Sequence, residues 1–241
     1  MTTAGDPGRG QDSVVGVAYG RICLWGDHCD WAQRQVIATS IDRSMRTEAR
    51  SRLDETITIK AKNSVHGTTE TSEFQLPEAA SLPLSKSSLK YVNAVVIAIL
   101  ERYPDARVQG LDLEITSSIP MRKGLSSSAA LCVSTARALS KAWALDLSVD
   151  DVIMISYKAE RGILGIGCGM MDQTASAHEY PLYMDFSNGF EYEGIDLRRP
   201  IPIVVGDVGG QRDTELILNT LNDAYFGKRD CLLYTSPSPR D

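Results

Sequence analysis

An α+β fold is what this 241-residue sequence predicts, and three observations predict it. Leu111-Asp-Leu-Glu-Ile-Thr116 alternates apolar and polar residues, the period-two pattern of a strand with one buried face. Residues 127–143 carry apolar side chains at helical spacing, directly behind a turn rich in Gly and Ser. Strand-type and helix-type segments then mix along the chain without the regular alternation of a doubly wound parallel sheet.

Taken in order, the first strand is expected over 14–24, an apolar run that carries one Arg in its second half. The β-branched stretches at 36–41 and 55–62 read as the next two strands. Residues 77–88 are rich in Ser, Leu and Pro and read as a loop. A helix is expected over 90–101, with Asn93, Val96 and Leu100 on one face, apolar apart from Asn93. The strand at 111–116 and the helix at 127–143 follow, then helices at 149–161 and 171–177. Strands at 181–186 and 202–207 and a helix at 213–225 complete the reading.

Composition limits the function classes. Hydrophobic residues make up 43% and charged residues 23%, ordinary for a soluble globular protein of one large or two small domains. The net charge of -6 gives no support to a nucleic-acid role. No basic run suits an anionic membrane, and no apolar stretch approaches the ~20 residues of a membrane span. Residues 1–11 are polar and Gly-rich, so they read as disordered and lack a signal-peptide core. The five cysteines, Cys23, Cys29, Cys132, Cys168 and Cys231, show no Cys-x-x-Cys spacing. Free thiols in a reducing cytosol are the simplest account, with Cys132 in a helix core. His28 beside Cys29 lacks the second ligand pair that zinc needs.

Three segments carry chemistry. In Met121-Arg-Lys-Gly-Leu-Ser-Ser-Ser-Ala-Ala130 a strand, a small-residue turn and a helix follow one another. The unpaired N–H groups and positive dipole end of such a helix attract phosphate. Gly124 lets backbone come close, and Ser126, Ser127 and Ser128 add hydroxyls. The same residues also fit an ordinary Ser N-cap. Ala18-Tyr-Gly-Arg-Ile-Cys-Leu-Trp-Gly-Asp-His-Cys-Asp-Trp31 ends in a loop with Asp27, His28 and Asp30 together. Those side chains can hold a polyol, or form a solvated turn with Arg21 in a structural ion pair. In Tyr157-Lys-Ala-Glu-Arg161 and Gly165-Ile-Gly-Cys-Gly-Met-Met-Asp-Gln173, Glu160 lies near a helix end and Asp172 near a helix start. Asp172 suits a base or a magnesium ligand, or a plain helix cap.

Together the segments resemble the superfamily of galactokinase, homoserine kinase, mevalonate kinase and phosphomevalonate kinase (GHMP kinases), from about Val14 to Tyr225. The order of the motifs matches, and Gly124-Leu-Ser-Ser-Ser-Ala-Ala130 is similar to the family's phosphate loop. Gly20-Arg21, Gly26-Asp27-His28-Cys29-Asp30-Trp31 and Cys168-Gly-Met-Met-Asp-Gln173 look most like the galactokinase branch. The resemblance implies a two-domain fold: an N-terminal domain of the ribosomal protein S5 domain 2-like type over 12–200, and a ferredoxin-like C-terminal domain that starts near 201 and is largely missing after 228. It implies ATP and Mg²⁺ as cofactors, with Lys123, Gly124, Leu125, Ser126, Ser127, Ser128 and Ala129 around the phosphates and Ser128 and Glu160 on magnesium. Asp172 takes the role of catalytic base or orienter, and Arg21 pairs with it and steadies developing charge. Asp27, His28, Asp30, Gly169 and Asp172 would hold the sugar.

Departures from the pattern keep the sugar open. Asp27 stands where the branch has Glu, Trp31 where it has Tyr, and Ala32-Gln-Arg-Gln35 where it has a Gly-containing turn. Nothing after Gly210 resembles the family's third, Gly-rich motif. Residues 229–241 fit no element and read as a non-native tail on a C-terminally truncated chain. The expected activity is phosphoryl transfer from ATP to a hydroxyl of a small sugar, by a cytoplasmic monomer or homodimer. A mevalonate-type alcohol kinase and a non-catalytic sugar and ATP sensor are the alternatives; mevalonate would need a cation for its carboxylate. A third alternative is that the chain as given is an inactive fragment.

Overall fold

The computed structural model describes residues 13–65, 67–81, 87–199, 201–206, 217, 220 and 221. Seven strands and four α-helices occur among them. They run in the order β1 (Val14–Trp25), β2 (Gln35–Ser51), β3 (Thr56–Asn63), β4 (Thr68–Gln75), α1 (Lys90–Arg102), β5 (Leu111–Ser117), α2 (Ser127–Ala142), α3 (Val149–Tyr157), α4 (Met171–Ser176), β6 (Leu182–Asp185) and β7 (Glu191–Gly194). A 3₁₀ turn spans Leu76–Ser81, and a π-helical turn, Lys158–Ile163, continues α3. The arrangement is α+β, as the irregular order of elements predicts.

One seven-stranded sheet organises the chain, in the order β4-β3-β5-β2-β6-β7, with β1 on β2. Among the described residues only β3 and β5 pair in parallel; the other pairs are antiparallel. β2 is the spine. It pairs with β1 from end to end, with β5 at Met45–Ser51 and with β6 at Gln35–Ala38. Sequence patterning ends this strand at 41, because Asp42 and Arg43 break the apolar run. The structure carries it ten residues further to Ser51. Met45, Thr47 and Ala49 face the core while Arg46 and Arg50 face water, so the alternation resumes after the break.

The break is a bulge. Tyr19 pairs with Ser44 but Arg21 pairs with Ser40, so Ile41, Asp42 and Arg43 stand opposite Gly20 alone. Such a bulge bends its strand and re-aims the side chains beside it. Here the residue next to it is Arg21.

Helix α2 lies across β1 and β2. Gly16 permits this: a Cβ at that position would sit 2.0 Å from the Ser134 carbonyl oxygen and 2.6 Å from the Ala138 nitrogen. Polar ties then fix the helix. Thr47 Oγ1 and Ser134 Oγ lie 3.0 Å apart, and Arg137 donates to the carbonyls of Val17 and Ala177, both at 2.6 Å. The core between sheet and helices holds Ile57, Ile99, Leu111, Ile115, Leu139, Ile153 and Ile155 fully buried. Each such side chain contributes about 1.5–3 kcal/mol on burial.

Two strands escape sequence patterning. β4, Thr68-Thr-Glu-Thr-Ser-Glu-Phe-Gln75, is polar on nearly every position because it is an edge strand with only Phe74 buried. β7 is a four-residue edge, too short for a pattern. The expected loop 77–88 overlaps the 3₁₀ turn at Leu76–Ser81. The strand expected at 202–207 is not formed: residues 201–206 carry no regular structure, and 207 lies outside the described residues. Of the helix expected at 213–225, only Ile217, Thr220 and Leu221 are described, all three helical. The expected disordered start at 1–11 and tail at 229–241 lie outside the described residues. Cys23, Cys29, Cys132 and Cys168 are free thiols, Cys132 fully buried. No helix among the described residues is long and apolar enough to cross a membrane.

Candidate active site

A cleft of about 900 Å³ collects the three segments that the sequence singles out. Arg21, Asp27, His28, Asp30, Lys123, Gly124, Leu125, Ser126, Ser127, Ser128, Gly169 and Asp172 all line it. Ala129 is buried behind the loop, and Glu160 lies beneath the cleft at 3% exposure.

The phosphate-loop candidate is a chain of positive φ angles. Arg122, Gly124 and Ser126 have φ of 57, 72 and 56°. For Arg and Ser this left-handed region is costly, about 1–2 kcal/mol per residue. Ser126 is the N-cap residue of α2, yet its side chain makes no capping bond. Its hydroxyl is buried without a partner among the described residues. The ordinary Ser N-cap is therefore not what this turn builds. The first N–H groups of α2 stay without a side-chain cap, beside an uncommitted hydroxyl and in a strained loop. An anion would satisfy both.

The polyol-loop candidate is a series of tight turns from Gly26 to Gln35. Cys29 N donates to the Gly26 carbonyl at 2.9 Å, Gln33 N to Asp30 at 3.2 Å and Arg34 N to Cys29 at 2.9 Å. His28 takes φ of 65°, and its Nε2 lies 3.8 Å from Asp27 Oδ2. Asp30 turns inward to 8% exposure and accepts from Met171 N at 3.2 Å. Its carboxylate lies flat against Gly169, where a Cβ would come within 2.0 Å of Oδ2. Burial pushes the Asp30 carboxyl up to about 6, helped by the Asp172 charge and opposed by backbone bonds from Trp31 and Met171 and by Arg21.

Arg21 joins the two loops. Its Nε donates to Asp172 Oδ1 at 2.7 Å, and Nη2 lies 2.5 Å from the same oxygen. Nη1 donates to the Gly124 carbonyl at 2.8 Å, and the Arg21 backbone N–H to the Leu125 carbonyl at 3.2 Å. Burial disfavours the guanidinium charge, but the charge and bond of Asp172 outweigh it, so Arg21 stays above its ordinary range. The expected pairing of Arg21 with Asp172 is thus present, across 151 residues of sequence.

Glu160 sits in the π-helical turn rather than in the α-helix expected to run to Arg161. Single π turns recur at functional sites. Its carboxylate bonds to the Ser128 hydroxyl and to Gln173 Nε2. Burial, with the Asp172 charge, pushes it up to about 7 against those two bonds and Arg21. The sequence reading gave Gln173 no role; its only sequence signal is its place beside Asp172 in α4. Trp31 and Tyr91 also line the cleft and pack on Ile166 and Cys168.

Residues 90–180 match the model of the GHMP kinases N terminal domain. A galactokinase from Thermosipho africanus is 32% identical over 185 residues, 75% of this chain and 49% of that protein. The chain thus spans about half the length of the curated relatives it matches. Among solved structures, Lactococcus lactis galactokinase complexed with galactose superposes with a TM-score of 0.70 at 22% identity, over 94% of this chain and 58% of that one. Mevalonate kinase from Methanococcus jannaschii gives a TM-score of 0.62 at 19% identity, over 79% and 57%. Residues 90–180 thus match the GHMP kinases N terminal domain, and the chain is similar in sequence to galactokinases.

Proposed function

We propose that this chain forms the N-terminal, phosphate-loop part of an ATP-dependent sugar kinase, with residues 12–200 as its domain and a second domain beginning near 201. One observation carries the reading. The Arg21–Asp172 pair lies between the uncapped start of α2 and the loop of Asp27, His28 and Asp30, all in one cleft. A phosphate at α2 and a hydroxyl at that loop would therefore meet at Asp172. The galactokinase relatives support a sugar as acceptor.

The residues fit the groups this function needs. The free N–H groups of α2 and the unpartnered Ser126 hydroxyl suit the phosphates of ATP. Ser128 and Glu160 would hold Mg²⁺. Among the described residues no group of three or more His, Cys, Asp or Glu is gathered for a metal. A small hard cation bound by few protein oxygens completes its shell with phosphate and water. When bound, it supplies charge neutralisation on the phosphate oxygens.

The protein's part is positioning and electrostatics, which dominate phosphoryl transfer. Asp27, His28 and Asp30 offer the acceptors and the imidazole that a neutral polyol requires. Asp172 accepts the proton of the attacking hydroxyl, or orients that hydroxyl. Arg21 holds Asp172 in place through its hydrogen bond and ion pair and offsets charge that builds on transfer. Arg21, the cation that meets Asp172, is already committed to Asp172 and the Gly124 carbonyl, so it is not free to take a carboxylate on the acceptor such as that of mevalonate.

The test is ATP consumption with magnesium, measured for the complete gene product against a sugar panel that includes galactose, with mevalonate as the outgroup. Turnover on one sugar is expected. Turnover on mevalonate alone, or sugar binding without turnover, would overturn the reading in favour of an alcohol kinase or a sensor.

A further inference from the structure

Gln173 is a fully buried polar side chain at the floor of the cleft that the proposed chemistry leaves idle. Its Nε2 donates to Glu160 Oε2 at 2.5 Å and lies 3.8 Å from Cys168 Sγ. Its Oε1 has no partner among the described residues. An amide buried with half its capacity unused is costly, so the bond it does make needs a reason.

The bonds around it close a ring. Ser128, at the start of α2, bonds to Glu160. Glu160 accepts from Gln173, which is the next residue after Asp172 on α4. Asp172 accepts from Arg21, and Arg21 donates back to the Gly124 carbonyl in the loop that leads into Ser128. Every member except Gln173 has a role in the proposed transfer. Without Gln173 the ring opens between the phosphate side and the acceptor side. Glu160 would then keep Ser128 as its one side-chain partner, in a π turn whose backbone is not a regular helix.

We propose that Gln173 is a positioning residue: its amide fixes the Glu160 carboxylate against Ser128 and couples this cation-holding pair to the helix that carries Asp172. The inference rests on the kinase reading above. Partners that orient a metal-holding carboxylate typically change metal affinity about 10–100-fold when removed, with the fold intact. A residue that merely packs would instead lower stability and every binding constant together.

Gln173→Met keeps length and flexibility but removes the donor. The probes are Mn²⁺ with ADP, followed by electron paramagnetic resonance, and galactose, followed by calorimetry. For Gln173→Met, Mn²⁺ affinity in the presence of ADP should fall about tenfold or more while galactose affinity stays at the wild-type value. In a Glu160→Gln background the same substitution should add no further loss, because it acts through Glu160. Wild-type Mn²⁺ affinity in folded Gln173→Met, or equal loss of Mn²⁺ and galactose binding, overturns the proposal. Should the variant not fold, wild-type protein labelled with ¹⁵N decides. The Gln173 side-chain amide must shift on adding Mg²⁺ and ADP; no shift overturns it. Wild-type protein that binds neither Mn²⁺ with ADP nor galactose overturns the kinase reading itself, a result distinct from a normal wild type beside an unaffected variant.

Discussion

Two carboxylates at the cleft show how environment divides labour between like side chains. Asp172 is held by Arg21 at 2.5–2.7 Å, whereas Asp30 is buried against Gly169 with backbone donors and no cation of its own. Asp172→Asn keeps shape but loses the charge that accepts a proton. In the active gene product kcat should fall on the order of 10²–10⁴-fold with nucleotide binding unchanged. Retained turnover would remove Asp172 from the mechanism. Asp30 makes a different prediction. Its folded carboxyl is raised from 3.8 to about 6, first by burial. The folded state therefore binds this proton more tightly than the unfolded chain. Stability falls as pH rises from the unfolded value through the folded one, and the cost persists above it. That rise corresponds to roughly 1–3 kcal/mol. Asp30→Asn removes the titration and can still accept from Met171. The variant should be more stable than wild type at pH 8, by an amount that vanishes near pH 4, while sugar binding is lost. Urea unfolding at the two pH values measures this. A variant less stable at pH 8 than at pH 4, relative to wild type, would contradict the assignment. A group that costs stability at neutral pH is retained for what it binds.

At the scale of elements, the site depends on how α2 and β1 meet. The bulge at Gly20 aims Arg21 at the turn before α2, and Gly16 lets α2 lie directly on the strand. The two nearest obstacles to a Cβ at Gly16 are backbone atoms of α2, at 2.0 and 2.6 Å, and the third is the Arg137 Cβ at 2.9 Å, which is fixed to that backbone, so no flexible side-chain end can swing away to relieve the clash. Gly16→Ala must push α2 off the sheet or bend β1. Overpacking of this kind costs about 1–3 kcal/mol. The expected result is a lower urea midpoint with an unchanged slope, together with weaker nucleotide binding because the start of α2 moves. A variant as stable as wild type would show that the helix has room to shift. β5, with one buried face and one wet face, was legible in the sequence from its alternation, and α2 from its apolar spacing although its body is buried on nearly all sides. β4 and β7 were not, because edge strands bury too little to leave a pattern. The second half of β2 was hidden by the charged bulge at Asp42 and Arg43. The π turn at Glu160 was hidden too, since an extra residue in a helical turn leaves no mark on apolar periodicity.

For the whole molecule, what the sequence made visible was the chemistry at the cleft wall, and what it concealed was the wiring beneath. Asp27, His28 and Asp30 could be named because loops announce polar residues that no core requires, and Asp172 because a carboxylate follows the glycine run at 165–169 at a helix start. The Ser128–Glu160–Gln173 link could not, because contact between residues from three separate elements is a property of packing. That wiring has a thermodynamic consequence. Segments near residues 21, 124, 160 and 172 are bonded to one another, so a ligand that engages any one of them should steady all. A ligand at a hundred times its dissociation constant stabilises the folded state by about 2.7 kcal/mol. Spread over a coupled ring, that increment should slow hydrogen exchange in the backbone around Arg21, the start of α2, the π turn and α4 together. Galactose contacts the Asp27–Asp30 loop, Gly169 and Asp172 in the proposed reading, yet its protection should extend to Ser128 and Glu160. Exchange followed by mass spectrometry, with and without galactose, measures this directly. Protection confined to residues 26–31 would mean that the two sides of the cleft bind independently and that the ring is a packing feature without a coupling role.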